Sequence, residues 1–383
     1  MNQEDLTLFI LETSKELGFH RVGLVPIEPP HRYQEYEKWV GADMHGTMDY
    51  MASETHKNAR KDVRSLLPEA KSMVIVALAY AKNGGDTPSP TSSLNGFVAR
   101  YARGSDYHGV MKARLKALAD RIEEHTSCKV LSRSCVDSAP ILEREWAERA
   151  QVGFVAKNTM LIAPGLGSYV LLGELLLDTA TKPTAEEREK PRCGSCTSCI
   201  DACPTGAFAD PYVLDARKCI SYLTIEHRGP IPRELRPYME NMIFGCDRCQ
   251  EVCPFNERAP DRHVPDPELA PRDSNAGVPD LLQIAALGSN QRKKWVNGTA
   301  LRRVNREQML RNVCVALGNS GDQVAIDTLA GLLKDRAPLV RGHAAWALGQ
   351  LGAADLCQAA LESETDDWVR EEISAALGSA HVT

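Results

Sequence analysis

The chain has no apolar stretch long enough to cross a bilayer. Its longest, Met73 to Ala81, is nine residues, whereas a spanning helix needs about twenty, so no membrane partner is expected. A basic leader is also missing. Glu4, Asp5, Glu12 and Glu16 crowd the N-terminus, which does not suit a secretory signal. No Gly-x-Gly-x-x-Gly follows a strand-like segment. Gly165-Leu166-Gly167 has no third glycine at the right offset, so a Rossmann nucleotide site is not expected. Surplus positive charge is absent too. The net charge is −6 over 383 residues, which argues against a nucleic-acid partner for the chain as a whole. With 43% hydrophobic and 25% charged residues, the composition is that of a globular protein and excludes wholesale disorder. The length allows two to three domains.

Residues 1–180 read as one unit of mixed helix and strand. Leu6, Phe9, Ile10, Thr13 and Leu17 follow helical spacing up to Gly18. Ser72–Leu78 and Tyr169–Leu177 read as buried strands, Val110–Glu124 and Ala139–Ala150 as helices, and Gly84–Ser93 as a loop. A polar stretch, Asp178–Arg192, reads as a linker. Ala259–Pro279 holds five prolines and reads as a boundary. Beyond it, Leu310-Arg311…Leu317-Gly318 recurs as Val340-Arg341…Leu348-Gly349 and Val369-Arg370…Leu377-Gly378. Helix pairs of this period cannot bury their faces alone and stack into a solenoid. The expected domains are therefore 1–180, 181–260 and 280–383, the last a HEAT-like helical repeat.

Cysteine is where the sequence is rich. Eight of the twelve lie between Cys193 and Cys253, which points to metal in a reducing cytoplasm. The first run is Cys193-x2-Cys196-x2-Cys199-x3-Cys203-Pro204. The second is Cys246-x2-Cys249-x3-Cys253-Pro254, with Cys219 alone between them. The first spacing is the bacterial ferredoxin run, whose fourth cysteine ligates the other cluster. Two [4Fe–4S] cubanes need eight thiolates. Cluster one should take Cys193, Cys196, Cys199 and Cys253, and cluster two Cys203, Cys219, Cys246 and Cys249. The small residues Gly194, Ser195, Thr197 and Ser198 let backbone N–H groups reach the sulfurs. A pair of zinc sites is the competing reading, but zinc rarely takes three cysteines at successive intervals of three. Cys128, Cys135, Cys314 and Cys357 read as ordinary free thiols.

Upstream stand Arg100-Tyr101-Ala102-Arg103-Gly104-x-Asp106-Tyr107-His108, Val136-Asp137-Ser138-Ala139-Pro140 and Glu148-Arg149-Ala150-x-x-Gly153-Phe154-x-Ala156-Lys157-Asn158. Cys219-Ile220-Ser221-Tyr222-Leu223-Thr224 and Gly245-Cys246-Asp247 follow. Together these motifs resemble the epoxyqueuosine reductases over nearly the whole chain. The resemblance implies an α+β fold, with a nitroreductase-like domain that binds cobalamin beside a ferredoxin-like domain holding two [4Fe–4S] clusters. It implies reduction of epoxyqueuosine to queuosine at the tRNA wobble position, fed by an external electron donor. The runner-up is a cobalamin-dependent reductive dehalogenase acting on a small molecule; a non-enzymatic electron carrier with a docking arm is the third reading.

The resemblance assigns Asp137 as the catalytic proton donor, with His108 and Glu143 in reserve. Capping of the Ala139 helix is the plain structural role for Asp137. The cobalamin contacts it implies are Arg60, Asp137, Lys157, Asn158 and Ser221. Family members often carry Gly-Lys-Asn where this chain has Ala156-Lys157-Asn158. Asp43-Met44-His45 and Asp106-Tyr107-His108 begin like a cobalt-ligating Asp-x-His-x-x-Gly but lack its glycine, so no histidine ligand to cobalt is expected. A tRNA anticodon stem-loop needs cations. Gln291–Arg311 supplies them through Arg292, Lys293, Lys294, Arg302, Arg303, Arg306 and Arg311, opposed only by Glu307. That band is the electrostatic footprint expected for phosphate; Arg100 and Arg103 are the fallback. Trp295 within it reads as core. The chain is expected to work as a cytoplasmic monomer.

Overall fold

The computed structural model describes residues 2–81, 92–184, 192–257 and 264–379. Helix α1 (Gln3–Glu16) starts at an Asn2 side-chain cap and buries Leu6, Ile10 and Thr13. Strand β1 (Arg21–Pro26), α2 (Tyr33–Gly41), the one-turn α3 (Asp49–Ala52) and α4 (Glu54–Lys61) follow. Strand β2 (Ser72–Ala79) is the continuous apolar run and is buried along its whole length, as a strand covered on both faces must be. The Gly84–Ser93 loop falls almost wholly outside the described residues.

Strand β3 (Phe97–Val98) leads into α5 (Tyr107–Thr126), β4 (Ser132–Cys135) and α6 (Glu143–Arg149). The short pair β5 (Phe154–Val155) and β6 (Leu161–Ile162) precedes β7 (Val170–Leu177). The main sheet runs β1-β2-β7-β4 with antiparallel neighbours. Helices α1 and α5 cover one face and α6 the other. Helix α6 begins at Glu143, not at Ala139. Pro140 disfavours helical backbone in the residue before it, and 136–141 closes instead into tight turns. The cap position is Leu142, so Asp137 does not cap this helix.

The polar stretch after β7 is anchored where it is described. Thr181 is buried, and the Thr184 hydroxyl accepts the Leu24 N–H at 2.9 Å; residues 185–191 fall outside the described residues. Helix α7 (Ser198–Asp201), β8 (Phe208–Asp210), β9 (Val213–Leu214), α8 (Ile220–Ile225), β10 (Met242–Phe244), α9 (Arg248–Glu251) and α10 (Pro254–Glu257) carry the cysteines. Strand β10 pairs in parallel with β3, tying this segment to the first. The described part of the proline-rich stretch also packs. Leu269 is buried, and Asp266 holds Arg114 at 2.6 Å.

Helices α11 (Leu281–Ala286), α12 (Ser289–Val296), α13 (Arg306–Asn319), α14 (Ile326–Leu332), α15 (Pro338–Gln350), α16 (Gln358–Ser363) and α17 (Asp367–Ser379) complete the chain. Helices α13, α15 and α17 stack in register with the repeat. A Cβ at Gly318 would stand 2.9 Å from Ala347 Cα, and one at Gly349 3.2 Å from Ala376 Cα. The first two Leu-Gly pairs are thus points of close approach between stacked helices, while a Cβ at Gly378 of the third would meet nothing within 4 Å. A single apolar cluster runs from Leu6 in α1 to Ile373 in α17, so the segments share one core.

Candidate functional site

The eight cysteines fall into two groups of four. Cys193 and Cys196 lie in the loop before α7, and Cys199 sits in its first turn. With Cys253 they line a cavity of about 210 Å³, walled also by Lys157, Asn158 and Phe255. Among the described residues no three Cys, His, Asp or Glu side chains converge closely enough for a single ion. The four thiols line one void together, as ligands to a cubane would. In the other group burial pushes the Cys246 thiol up to about 12, and neighbouring Cys219 and Cys203 act in the same direction. Cys249 is raised by burial, then by Cys246 and Cys219, and it also feels Cys199 of the first group. Cys249 and Cys199 stand where the two groups meet.

Local backbone explains how thiolates would be held. Ser221 and Tyr222 N–H groups point at Cys219, Arg248 N–H at Cys246, and Phe255 and Asn256 N–H groups at Cys253. Ala207 N–H reaches Cys203 Sγ at 3.3 Å. These donors stabilise a negative sulfur. Lys157 Nζ donates to the carbonyls of Gly194 and Cys196 at 2.7 and 2.9 Å, and Asn158 Nδ2 to the Cys249 carbonyl at 3.2 Å. Both side chains therefore brace the cysteine loops.

A second centre forms around Asp137, at the end of β4. Its backbone is left-handed, with φ 49°, and its N–H donates to Glu143 Oε1 at 2.7 Å. Asp137 Oδ2 accepts the Tyr107 hydroxyl at 2.8 Å and lies 3.2 Å from His108 Nε2. His108 Nδ1 is 2.8 Å from Asp106 Oδ1. Crowding raises the Asp137 carboxyl, but the hydrogen bonds from His108 and Tyr107 outweigh it and the net direction is down. Glu143 is pushed up to about 7, first by burial and then by the Asp137 charge. Tyr50, Arg60 and Arg303 lie within electrostatic reach of this centre. Arg60 ends α4 with its guanidinium 5.1 Å from the Tyr36 ring centroid.

Behind the centre, Glu174 of β7 stands opposite Cys135. It is fully buried, with neither carboxylate oxygen hydrogen-bonded among the described residues, and burial, Glu143 and Asp137 hold it well above the ordinary range. Sequence reasoning missed Asp106, Tyr50 and Glu174. Asp106 had a signal in the Asp106-Tyr107-His108 run, which carries the family resemblance and the near-match to a cobalt-ligand motif but gives Asp106 itself no role. Glu174 had one as well, a lone acid inside an apolar strand.

The basic band is only partly available. Arg311 is fully buried and spends its guanidinium on the carbonyls of Leu223, His227 and Gly229. Arg306 pairs with Asp335, and Arg292 donates to the Val304 carbonyl. Arg302 and Arg303 sit in a 3-10 turn before α13, not on its helix with Arg306. Lys293, Lys294, Arg302 and Arg303 are exposed. The fallback pair is ruled out by burial. Arg100 is 7% exposed and bonds Asp247 and Glu251, and Arg103 donates to the Val98 carbonyl. Trp295 packs on the core.

Two groups of four thiols, a carboxylate in a hydrogen-bonded pocket and a stacked helical tail define an iron–sulfur redox enzyme with helical repeats. Family models match the chain accordingly: a 4Fe-4S double cluster binding domain over 192–256, epoxyqueuosine reductase QueG over 60–138 and HEAT repeats over 299–378. The epoxyqueuosine reductase of Escherichia coli is 39% identical over 88% of this chain and 86% of its own length. That of Pseudomonas aeruginosa is 38% identical over 90% and 94%. A crystal structure of an epoxyqueuosine reductase with an epoxyqueuosine-modified tRNA-Tyr stem-loop matches at TM-score 0.89 and 33% identity, covering all of both chains. The Bacillus subtilis enzyme matches at 0.88 and 32%, covering 99% and 100%. The chain belongs to the epoxyqueuosine reductase family.

Proposed function

We propose that this chain reduces epoxyqueuosine to queuosine at the wobble position of tRNA, through a cobalamin wired to its two [4Fe–4S] clusters. The observation that carries the reading is Asp137, held by Tyr107 and His108 with the exposed Arg303 within electrostatic reach. Cluster one takes Cys193, Cys196, Cys199 and Cys253; cluster two takes Cys203, Cys219, Cys246 and Cys249. Cys196 is the exposed thiol of the set, so an external donor would deliver electrons at cluster one, and Cys199 and Cys249 lie on the path to cluster two.

The residues present fit a cobalamin between cluster two and Asp137. Tyr50, Arg60 and Ser221 offer polar groups there, and His45 Nδ1 nearby is buried with no partner. When bound, cobalamin supplies a low-potential cobalt centre able to pass two electrons to the epoxide carbon. The chain supplies the rest. Asp137 donates the proton to the departing oxygen as general acid, and Tyr107 fixes the carboxyl orientation. Arg60 and Ser221 hold the corrin edge. Lys157 and Asn158 serve it indirectly, by setting the cysteine loops. Lys293, Lys294, Arg302 and Arg303 meet stem-loop phosphates.

No helix among the described residues is long and apolar enough to cross a membrane, and the reading places a monomer in the cytoplasm. The test is conversion. Cobalamin-loaded protein, given a low-potential one-electron reductant, should turn an epoxyqueuosine stem-loop into the queuosine form. A loaded, reducible protein that leaves the nucleoside unchanged overturns the reading.

A further inference from the structure

The proposed reaction consumes two protons. An epoxide becomes an alkene and water, with two electrons arriving from the external reductant through the cofactors. The first proton goes to the oxygen as one carbon–oxygen bond breaks. The second goes to the resulting hydroxyl as the other breaks and water leaves. Asp137 carries one proton at a time, so between the two cleavages it must be recharged while substrate covers it.

His108 is built for that step. Its Nδ1 lies 2.8 Å from Asp106 Oδ1, and its Nε2 lies 3.2 Å from Asp137 Oδ2. With the first proton on Asp137 Oδ1, its Oδ2 and the ionised Asp106 carboxylate both only accept hydrogen bonds, so the imidazole between them is satisfied when both its nitrogens carry protons. The ring cannot swing away easily. It stacks on Tyr107 with centroids 4.2 Å apart, and its backbone N–H donates to the same Asp106 oxygen, which caps α5. Arg302 Nε approaches Asp106 Oδ2 at 3.7 Å. Around Asp137, Glu143 adds negative charge behind and Arg303 positive charge in front. The His108 side chain is 26% exposed, so it can regain a proton from water after product leaves.

We propose that His108 is a positioning residue that stores the second proton and hands it from Nε2 to Asp137 Oδ2 between the two bond cleavages, with Asp106 holding the ring. This rests on the epoxide-reducing function above. In the transfer the Nε2–H bond breaks, the Oδ2–H bond forms, and His108 is left neutral with its Nδ1 proton still on Asp106. No electrons move in this step.

Two variants and two readouts test it. Asp106→Asn preserves a capping side chain but removes the charge behind the ring, and His108→Gln removes the titrating group. In the full chain labelled at histidine ring carbons, His108 should titrate above an ordinary histidine, and Asp106→Asn should bring it back toward that value. With an epoxyqueuosine stem-loop, His108→Gln should lower kcat about a hundredfold, the lower end of the range for assisted proton transfer. KM should stay unchanged, and the alkaline fall of kcat that the store imposes on the wild type should be absent from the variant. An ordinary His108 titration, a wild-type pH profile in His108→Gln, or an effect confined to KM each overturns the store. Failure of the wild type to convert epoxyqueuosine is a different outcome. It removes the functional reading and the store with it, even where the ring titration shows His108 held between its two carboxylates.

Discussion

Arg311 Nη1 donates to the carbonyl of Gly229 at 2.8 Å, fastening the first repeat helix to the segment that follows Cys219. The same guanidinium takes the carbonyls of Leu223 and His227, and Asn312 beside it takes those of Thr224 and Ile243. Among the described residues no carboxylate is bonded to it, and burial pulls the group down to about 9. Arg311→Ala would orphan several buried carbonyls and open a void. It should cost about 3 kcal/mol or more, read as a lowered urea midpoint at unchanged slope. A midpoint matching the wild type would show that this anchor contributes nothing.

Phosphate binding should track exposure. Replacing Lys293, Lys294 and Arg302 by Gln should weaken stem-loop binding and flatten the log affinity against log salt by roughly two to three units. Arg306→Gln should leave the slope alone, because that side chain is committed to Asp335 at 3.1 Å. An unchanged slope in the triple variant would mean the band is only solvated surface.

Cluster content follows the two groups. Iron and acid-labile sulfide should each be about eight per chain for two cubanes. Cys253→Ala should lose cluster one and Cys203→Ala cluster two. About two zinc ions and no sulfide would contradict the assignment.

Asp137→Asn should retain clusters and cobalamin yet slow turnover by roughly a hundredfold or more, the scale for a lost general acid. Near-normal turnover with both cofactors in place would remove Asp137 from the mechanism.

The tail carries its own pH dependence. Arg341, by its side-chain hydrogen bonds, draws the Glu364 carboxyl down to about 2. A depressed carboxyl adds stability above its ordinary value near 4.5, and that stability drains away as pH falls toward 2. Glu364→Gln should therefore destabilise at neutral pH and converge on the wild type in acid, followed by urea midpoints. A constant difference across that range would exclude the pair as the cause.

The double-cluster domain was legible because its first three cysteines, Cys193, Cys196 and Cys199, recur at intervals of three and need only one loop and one short helix. The repeats were legible because Leu317-Gly318 and its copies mark helix contacts. The fate of Arg311 was not, since nothing in an Arg-rich stretch says which guanidinium meets carbonyls from residues more than eighty positions away. Pro140 signalled a turn, yet the charged run after it was read as helix from Ala139. The Asp106–His108–Asp137 line was hidden because β4 and α5 bring its members together only through the sheet.

The central claim is that reduction runs through a corrin fed by the two clusters. The most direct test is the mass of the stem-loop nucleoside after incubation with reductant, with and without cobalamin on the protein. The account predicts loss of one oxygen atom only when cobalamin, both clusters and reductant are present together; equal loss without cobalamin would contradict it.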